Sequence, residues 1–197
     1  MITVDTVDKT ANTIKSHRIK SRAECLKQYG SDYMIQQKVK SGELYEVGKA
    51  IYSEEKHVPE LAVLFFKYPN AILTMHSAFY MHELTDSIPD DYDLATGRDA
   101  AKIKDRKVKQ YFIAENFLMQ GAVTANYKGY QIRLYNKERM LIELLRFKTK
   151  LPFDYYKEVL RNYRRILPQL NIQEVQDYAY EAPKSNKIMD VLQTEVM

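Results

Sequence analysis

The residues best suited to chemistry in this chain are those that could grip and read a polyanion. In SDYMIQQKVKSG, Ser31 to Gly42, a helical period of 100° per residue puts Tyr33, Gln36, Gln37 and Lys40 on one face. Ile35 and Val39 share the opposite face and are expected to point into a core. Glutamine can make paired bonds to an adenine edge, while tyrosine and lysine reach phosphates or bases. A second feature is AKIKDRKVK, Ala101 to Lys109, with five basic residues against one acidic. Lys102, Lys104 and Lys107 are its candidate phosphate contacts, and Ile103 and Val108 its inward anchors. The third is DYYKEVLRNYRRIL, in which Lys157, Arg161, Arg164 and Arg165 fall within an arc of about 100°. Like charges on one stripe repel each other, and a polyanion relieves that repulsion. Each feature also has an ordinary reading as a solvated polar surface.

The spacing of the remaining reactive residues supports no catalytic centre. Six glycines are scattered, and none pair in a phosphate-cradling loop. His76 and His82 fall on different faces of a helix, and the single Cys25 reads as a buried structural thiol. Asp90, Asp91 and Asp93 follow Pro89 and read as a solvated turn. The alternative is a metal-binding carboxylate set, which would make the chain a nucleic-acid- or nucleotide-acting enzyme with a DNA-reading module. No catalytic residue, metal or cofactor is expected.

The elements that position these residues begin at Ser21. A capping box with Glu24 opens a helix whose inner face is expected at Ala23, Leu26 and Tyr29. Gly30 ends it through a positive φ, and Ser31 caps the next helix at once. Two helices joined so closely must cross steeply, as in a helix-turn-helix. Leu44 to Val47 and Ala50 to Tyr52 then alternate around Gly48-Lys49, a two-residue hairpin turn and thus a wing. Arg22, Ser31 and the wing-tip Lys49 would flank the reading face as backbone contacts.

The polar stretch Glu54–Lys56 marks the expected boundary between a winged helix-turn-helix at 1–55 and a second domain at 56–197. A weak apolar stripe predicts a further helix from Thr6 to His17. Downstream, Pro59 opens a helix and AILT (Ala71 to Thr74) is a short strand. Ser77 caps a helix, DYDLAT is a strand, and a hairpin turns at Lys128-Gly129. Asn136 and Asp154 then cap long helices, Asn171 caps another, and a last helix ends near Glu195. The fold class is α+β: a winged helix-turn-helix followed by a mixed α/β domain ending in a helical bundle.

With 197 residues, 45% hydrophobic and 28% charged, the chain has the composition of a globular protein rather than a disordered one. A net charge of +4 permits nucleic-acid binding without demanding it. The lone cysteine, the absence of a basic-plus-apolar leader in MITVDTVDKT, and the lack of a long apolar run lead to a cytoplasmic expectation with no membrane partner.

Three stretches together resemble the AbiEi antitoxins of abortive-infection (type IV) toxin–antitoxin systems. They are KSGELYEVGKAIYS, then YPNAILTMHSAFYMHELTDSIPDDYDLAT, and NKERMLIELLRFKTKL with the helices after it. The resemblance spans nearly the whole chain, with three departures. Ala50 and Glu83 stand where the family often has glycine, and Met140 where it often has threonine. The resemblance implies a bacterial protein whose winged helix binds and represses its own operator. The second domain would carry antitoxicity against a nucleotidyltransferase-like toxin, without a stable complex, and would add basic contacts to DNA. A single winged helix reads few base pairs, so two copies on an inverted repeat are expected, from a monomer that pairs on DNA. A plain regulator without a toxin partner is the other alternative.

Overall fold

The computed structural model describes residues 19–196; the helix expected at Thr6–His17 lies outside them. The chain divides into two compact units, Met1–Asn70 with Thr124–Ile132, and Ala71–Val123 with Arg133–Met197. Both helices and strands occur in quantity, so the architecture is mixed α and β. Among the described residues no helix is long and apolar enough to cross a membrane.

The first unit runs β1 (Ile19–Ser21), α1 (Arg22–Tyr29), α2 (Asp32–Lys40), β2 (Tyr45–Gly48), β3 (Ile51–Ser53) and α3 (Glu60–Lys67). Ser21 ends the strand and caps α1: its Oγ accepts from the Glu24 amide, and its own amide donates to the Glu24 carboxylate at 2.7 Å. Gly30 takes φ 85° and donates its N–H to the Leu26 carbonyl, closing α1. Ser31 Oγ accepts from the Met34 amide, so α2 starts two residues after α1 stops.

The three strands form a sheet in the order β1-β3-β2, with β3 antiparallel to both neighbours. β1 was not foreseen: three residues leave too little alternation to register. Beneath α1 and α2 lies a small core of Cys25, Ile35, Leu44 and Tyr52, with Leu26, Tyr29 and Val39 packed on it. The inner face of α1 therefore centres on Cys25, and Ala23 is exposed, contrary to expectation. Ile19 and Ile51 pack instead with Ala62 and Val63 of α3 and with Tyr130. With that contact the first compact unit runs through α3 to Asn70.

The second unit contains β4 (Ile72–Leu73), α4 (Met75–Met81), β5 (Tyr92–Gly97), β6 (Val108–Ile113) and α5 (Glu115–Leu118). β7 (Ala122–Tyr127) and β8 (Tyr130–Tyr135) follow as the hairpin whose outer part belongs to the first unit. The five strands are ordered β6-β5-β4-β8-β7, with β4 antiparallel to β5 and parallel to β8, and β5 parallel to β6. Four helices close the chain: α6 (Lys137–Arg146), α7 (Phe153–Ile166), α8 (Ile172–Glu181) and α9 (Ser185–Glu195).

Asn136 caps α6 and Asn171 caps α8, each accepting from the amide three residues on. Two other expected caps are corrected. Ser77 lies within α4, where its hydroxyl donates to the Asp91 carbonyl and accepts from the Asp93 amide. Asp154 lies in the first turn of α7, which begins at Phe153 after Pro152. Its carboxylate there still favours the helix dipole.

Every residue of α6 from Arg139 to Leu145 is buried. Met140, Leu141, Leu144 and Leu145 join Phe79, Tyr163, Val175 and Leu192 in the main core. Arg139, wholly enclosed, donates to Glu143 Oε1 from Nε at 3.0 Å and from a terminal nitrogen at 2.7 Å. Its other terminal nitrogen donates to the carbonyls of Phe117 and Gln120 at 2.7 and 2.8 Å. Arg146 completes the set by donating to both Glu143 oxygens. Gly121 makes room for it: at φ 71° a Cβ there would sit 2.4 Å from the Arg139 Cβ.

Candidate nucleic-acid interface

On α2 the periodicity is realised as a division of faces. Ile35 is 1% exposed in the small core and Val39 lies partly buried against it. Tyr33, Gln36, Gln37 and Lys40 are all exposed, Tyr33 at 69%. A tyrosine so exposed gives up the burial that usually justifies an aromatic ring, so its ring is available to a ligand. Ser31, also exposed, caps α2 by accepting from the Met34 amide, which leaves its O–H able to donate to a ligand oxygen.

Arg22 is tied down by a paired contact in which its Nε donates to Asp32 Oδ1 at 2.8 Å and its NH2 to Oδ2. The guanidinium beside it holds the Asp32 carboxyl below the usual range. This fork joins the first residue of α1 to the first residue of α2, fixing one end of the turn between them. Arg22 can meet a phosphate only by sharing or exchanging that partner. Lys38 is similarly paired, donating to Glu43 just beyond the end of α2.

The hairpin turn falls at Lys49-Ala50 rather than Gly48-Lys49. β2 extends through Gly48, its register with β3 shifts between Glu46 and Gly48, and Ala50 takes φ 58°. A bulge adds a residue to one strand and moves the turn along by one. Lys49 remains exposed at the tip.

The other predicted contacts lie in the second unit. Lys102, Lys104 and Lys107 are exposed on the segment between β5 and β6. On α7, Lys157, Arg161, Arg164 and Arg165 are exposed, opposite the buried Tyr156, Val159, Leu160 and Tyr163. The four are not equivalent. Arg164 donates from Nε and NH2 to the Glu195 backbone carbonyl at 2.9 and 2.6 Å, satisfying the last turn of α9. Lys157 sits 4.7 Å over the Phe153 ring, and Arg165 donates to Asn162 Oδ1 at 3.2 Å.

The aspartates after Pro89 do not form one solvated turn. Asp90 and Asp91 are exposed, whereas Asp93 is buried at 3%. Burial pushes the Asp93 carboxyl up, and His76, the Ser77 amide, Tyr111 and Lys109 draw it part of the way back. The His76 ring stacks on Tyr155 with centroids 4.1 Å apart, and burial lowers its pKa. His82 is buried elsewhere, its Nε2 donating to the Tyr135 carbonyl at 2.6 Å, and desolvation pushes it down to about 4. Among the described residues no three His, Cys, Asp or Glu side chains gather as a metal set.

The sequence carries little warning of the buried Arg139–Glu143–Arg146 network. At 100° per residue Arg139, Glu143 and Arg146 share one face beside the apolar arc of Met140 to Leu145, which in sequence has the pattern of an ordinary solvated face. The signal was only their i,i+4 and i,i+3 spacing. Comparison with protein-family models and with curated proteins finds no match for this chain.

Proposed function

We propose that residues 19–53 form a winged helix-turn-helix that reads double-stranded DNA, and that the chain is an autorepressor and antitoxin of a type IV toxin–antitoxin operon. The observation that carries the DNA reading is the outward face of α2. Tyr33, Gln36, Gln37 and Lys40 stand exposed on a helix anchored from behind by Ile35 and Leu44. A helix is a suitable width for a major groove, and these side chains have the donors and acceptors to read base edges there. Lys49 at the hairpin tip is placed in sequence as a wing lysine would be, beside a phosphate. Two copies on an inverted repeat would supply the specificity that one short helix lacks.

The antitoxin role rests on the family resemblance alone. One structural detail fits that resemblance. Ala50 and Glu83, where the family favours glycine, both have the left-handed backbone that glycine adopts most readily, with φ of 58° and 59°.

The test is binding of a duplex carrying the chain's own upstream region, measured by anisotropy beside a scrambled duplex. Gln37→Ala should weaken the specific complex by roughly 5- to 150-fold, as loss of a paired base contact of about 1–3 kcal/mol requires. Binding to the scrambled duplex should hardly change. Equal losses on both duplexes would remove the base-reading role.

A further inference from the structure

The second unit holds a cavity of about 270 Å³ where the end of α6 and the turn after it meet the start of α9. Its wall contains Arg146, Lys148, Lys150, Lys184 and Lys187, and no acidic residue. Two of these cations are already satisfied: Arg146 by Glu143, and Lys148 by Glu195. The other three are not. Lys150 touches only the Phe147 ring, at 5.2 Å, and Lys184 and Lys187 are exposed without an ion pair among the described residues. A sphere of that volume is roughly 8 Å across, comparable to the screening length of about 8 Å at physiological salt. All three line one small wall, so each is within reach of an anion that enters. The rest of the wall is Thr149, Pro183 and apolar side chains, of which Phe147 and Val191 are partly exposed and Leu145 and Ile188 lie behind them.

We propose that this cavity binds a nucleoside di- or triphosphate, its phosphates held by Lys150, Lys184 and Lys187 and its ring laid against the partly exposed Phe147 and Val191. Convergent cations opposite an apolar surface suit a ligand that is anionic at one end and flat and hydrophobic at the other. The cavity is far too small for a duplex, which separates this site from the face of α2; a nucleotide seats its phosphates inside and leaves part of itself at the mouth. The cavity lies wholly within the second unit, so the proposal stands whether or not the DNA reading does.

The test is calorimetric titration of the full chain with ATP, ADP, pyrophosphate and adenosine, and with ATP again in the presence of excess duplex DNA. Lys184→Gln/Lys187→Gln is the variant, since both side chains are exposed and unpaired and their loss leaves the core intact; circular dichroism checks the fold. ATP and ADP should bind, adenosine should not, and the variant should lose about tenfold for each charge-assisted contact removed. Binding should persist when DNA is in excess. The proposal is overturned by no heat with ATP at millimolar concentration, or by equal binding in the variant. It is overturned equally by displacement with duplex DNA, or by pyrophosphate binding as tightly as ATP, which would leave the apolar wall without a role.

Discussion

Arg139→Met removes a guanidinium that is wholly enclosed in the second unit. Methionine keeps the length and much of the volume of the aliphatic stem, so the change removes chiefly the guanidinium. That group donates four hydrogen bonds, two to Glu143 and one each to the carbonyls of Phe117 and Gln120. It also lies 3.5 Å from the Phe117 ring centroid and 4.4 Å from that of Tyr135. Glu143 would not be stranded, because Arg146 still reaches both its oxygens. The two carbonyls would be, and each unsatisfied buried group costs about 1–3 kcal/mol. With part of the buried ion pair also lost, the expected destabilisation is about 3–5 kcal/mol. That is a large fraction of a typical total of about 5–15 kcal/mol. Urea unfolding followed by the helical circular-dichroism signal should show the midpoint falling with little change in slope. Arg139→Lys should do almost as badly, because an ammonium cannot span the carboxylate and both carbonyls as the fork does. A loss below about 1 kcal/mol in both variants would refute this account of the core.

Two further outcomes follow from backbone and burial. Glu83→Gly and Ala50→Gly relieve left-handed backbone at exposed positions, with φ of 59° and 58°, and each should stabilise the chain by about 0.5–1 kcal/mol in the same urea assay. A loss of stability in both would refute the strain argument. His82 is held neutral, its pKa lowered to about 4 from an ordinary 6.5, so the unfolded chain binds a proton that the folded chain refuses. Its stabilising effect is complete above pH 6.5 and is lost as pH falls toward about 4, by about 3 kcal/mol in all. Asp93, raised by burial, acts in the opposite sense, losing stability as pH rises through its titration. The difference between wild type and His82→Gln therefore isolates the histidine. It should narrow steadily from pH 6.5 to 4, and a constant difference would show that His82 does not titrate as described.

What was legible in the sequence was periodicity carried on residues whose neighbours in the chain decide their surroundings. The outward face of α2, the caps at Ser21, Ser31, Asn136 and Asn171, and the stop at Gly30 are of this kind. Misreadings arose where a tertiary contact outbid a local rule. Ser77 has the residue type and position of a cap, yet its hydroxyl is drawn to the backbone at Asp91 and Asp93. Alanine carries no signal for a left-handed turn, so the hairpin was placed one residue early, on Gly48-Lys49. Asp93 looks like its exposed neighbours Asp90 and Asp91, and only its place on β5 buries it. Cys25 is buried as its residue type predicts, whereas Ala23, on the same period as Leu26 and Tyr29, is exposed because α1 turns its Cys25 side to the core.

The cations show the same limit from the functional side. Composition identifies Lys157, Arg161, Arg164 and Arg165 as one stripe, but a guanidinium that already satisfies the final carbonyl of α9 differs from a free one. Arg164 has structural work that its neighbour Arg161 lacks, and Arg22 is bound to Asp32 in a similar way. Conversely, Lys150, Lys184 and Lys187 drew no notice in the sequence, being far apart and without a shared period. The fold brings them to one cavity. Charge that can serve a ligand is therefore better identified by asking which cations the fold leaves unpaired than by counting basic residues along the chain. By that criterion Lys40 and Lys49 in the first unit, and Lys102, Lys104 and Arg161 with the cavity lysines in the second, are the groups on which binding experiments should concentrate.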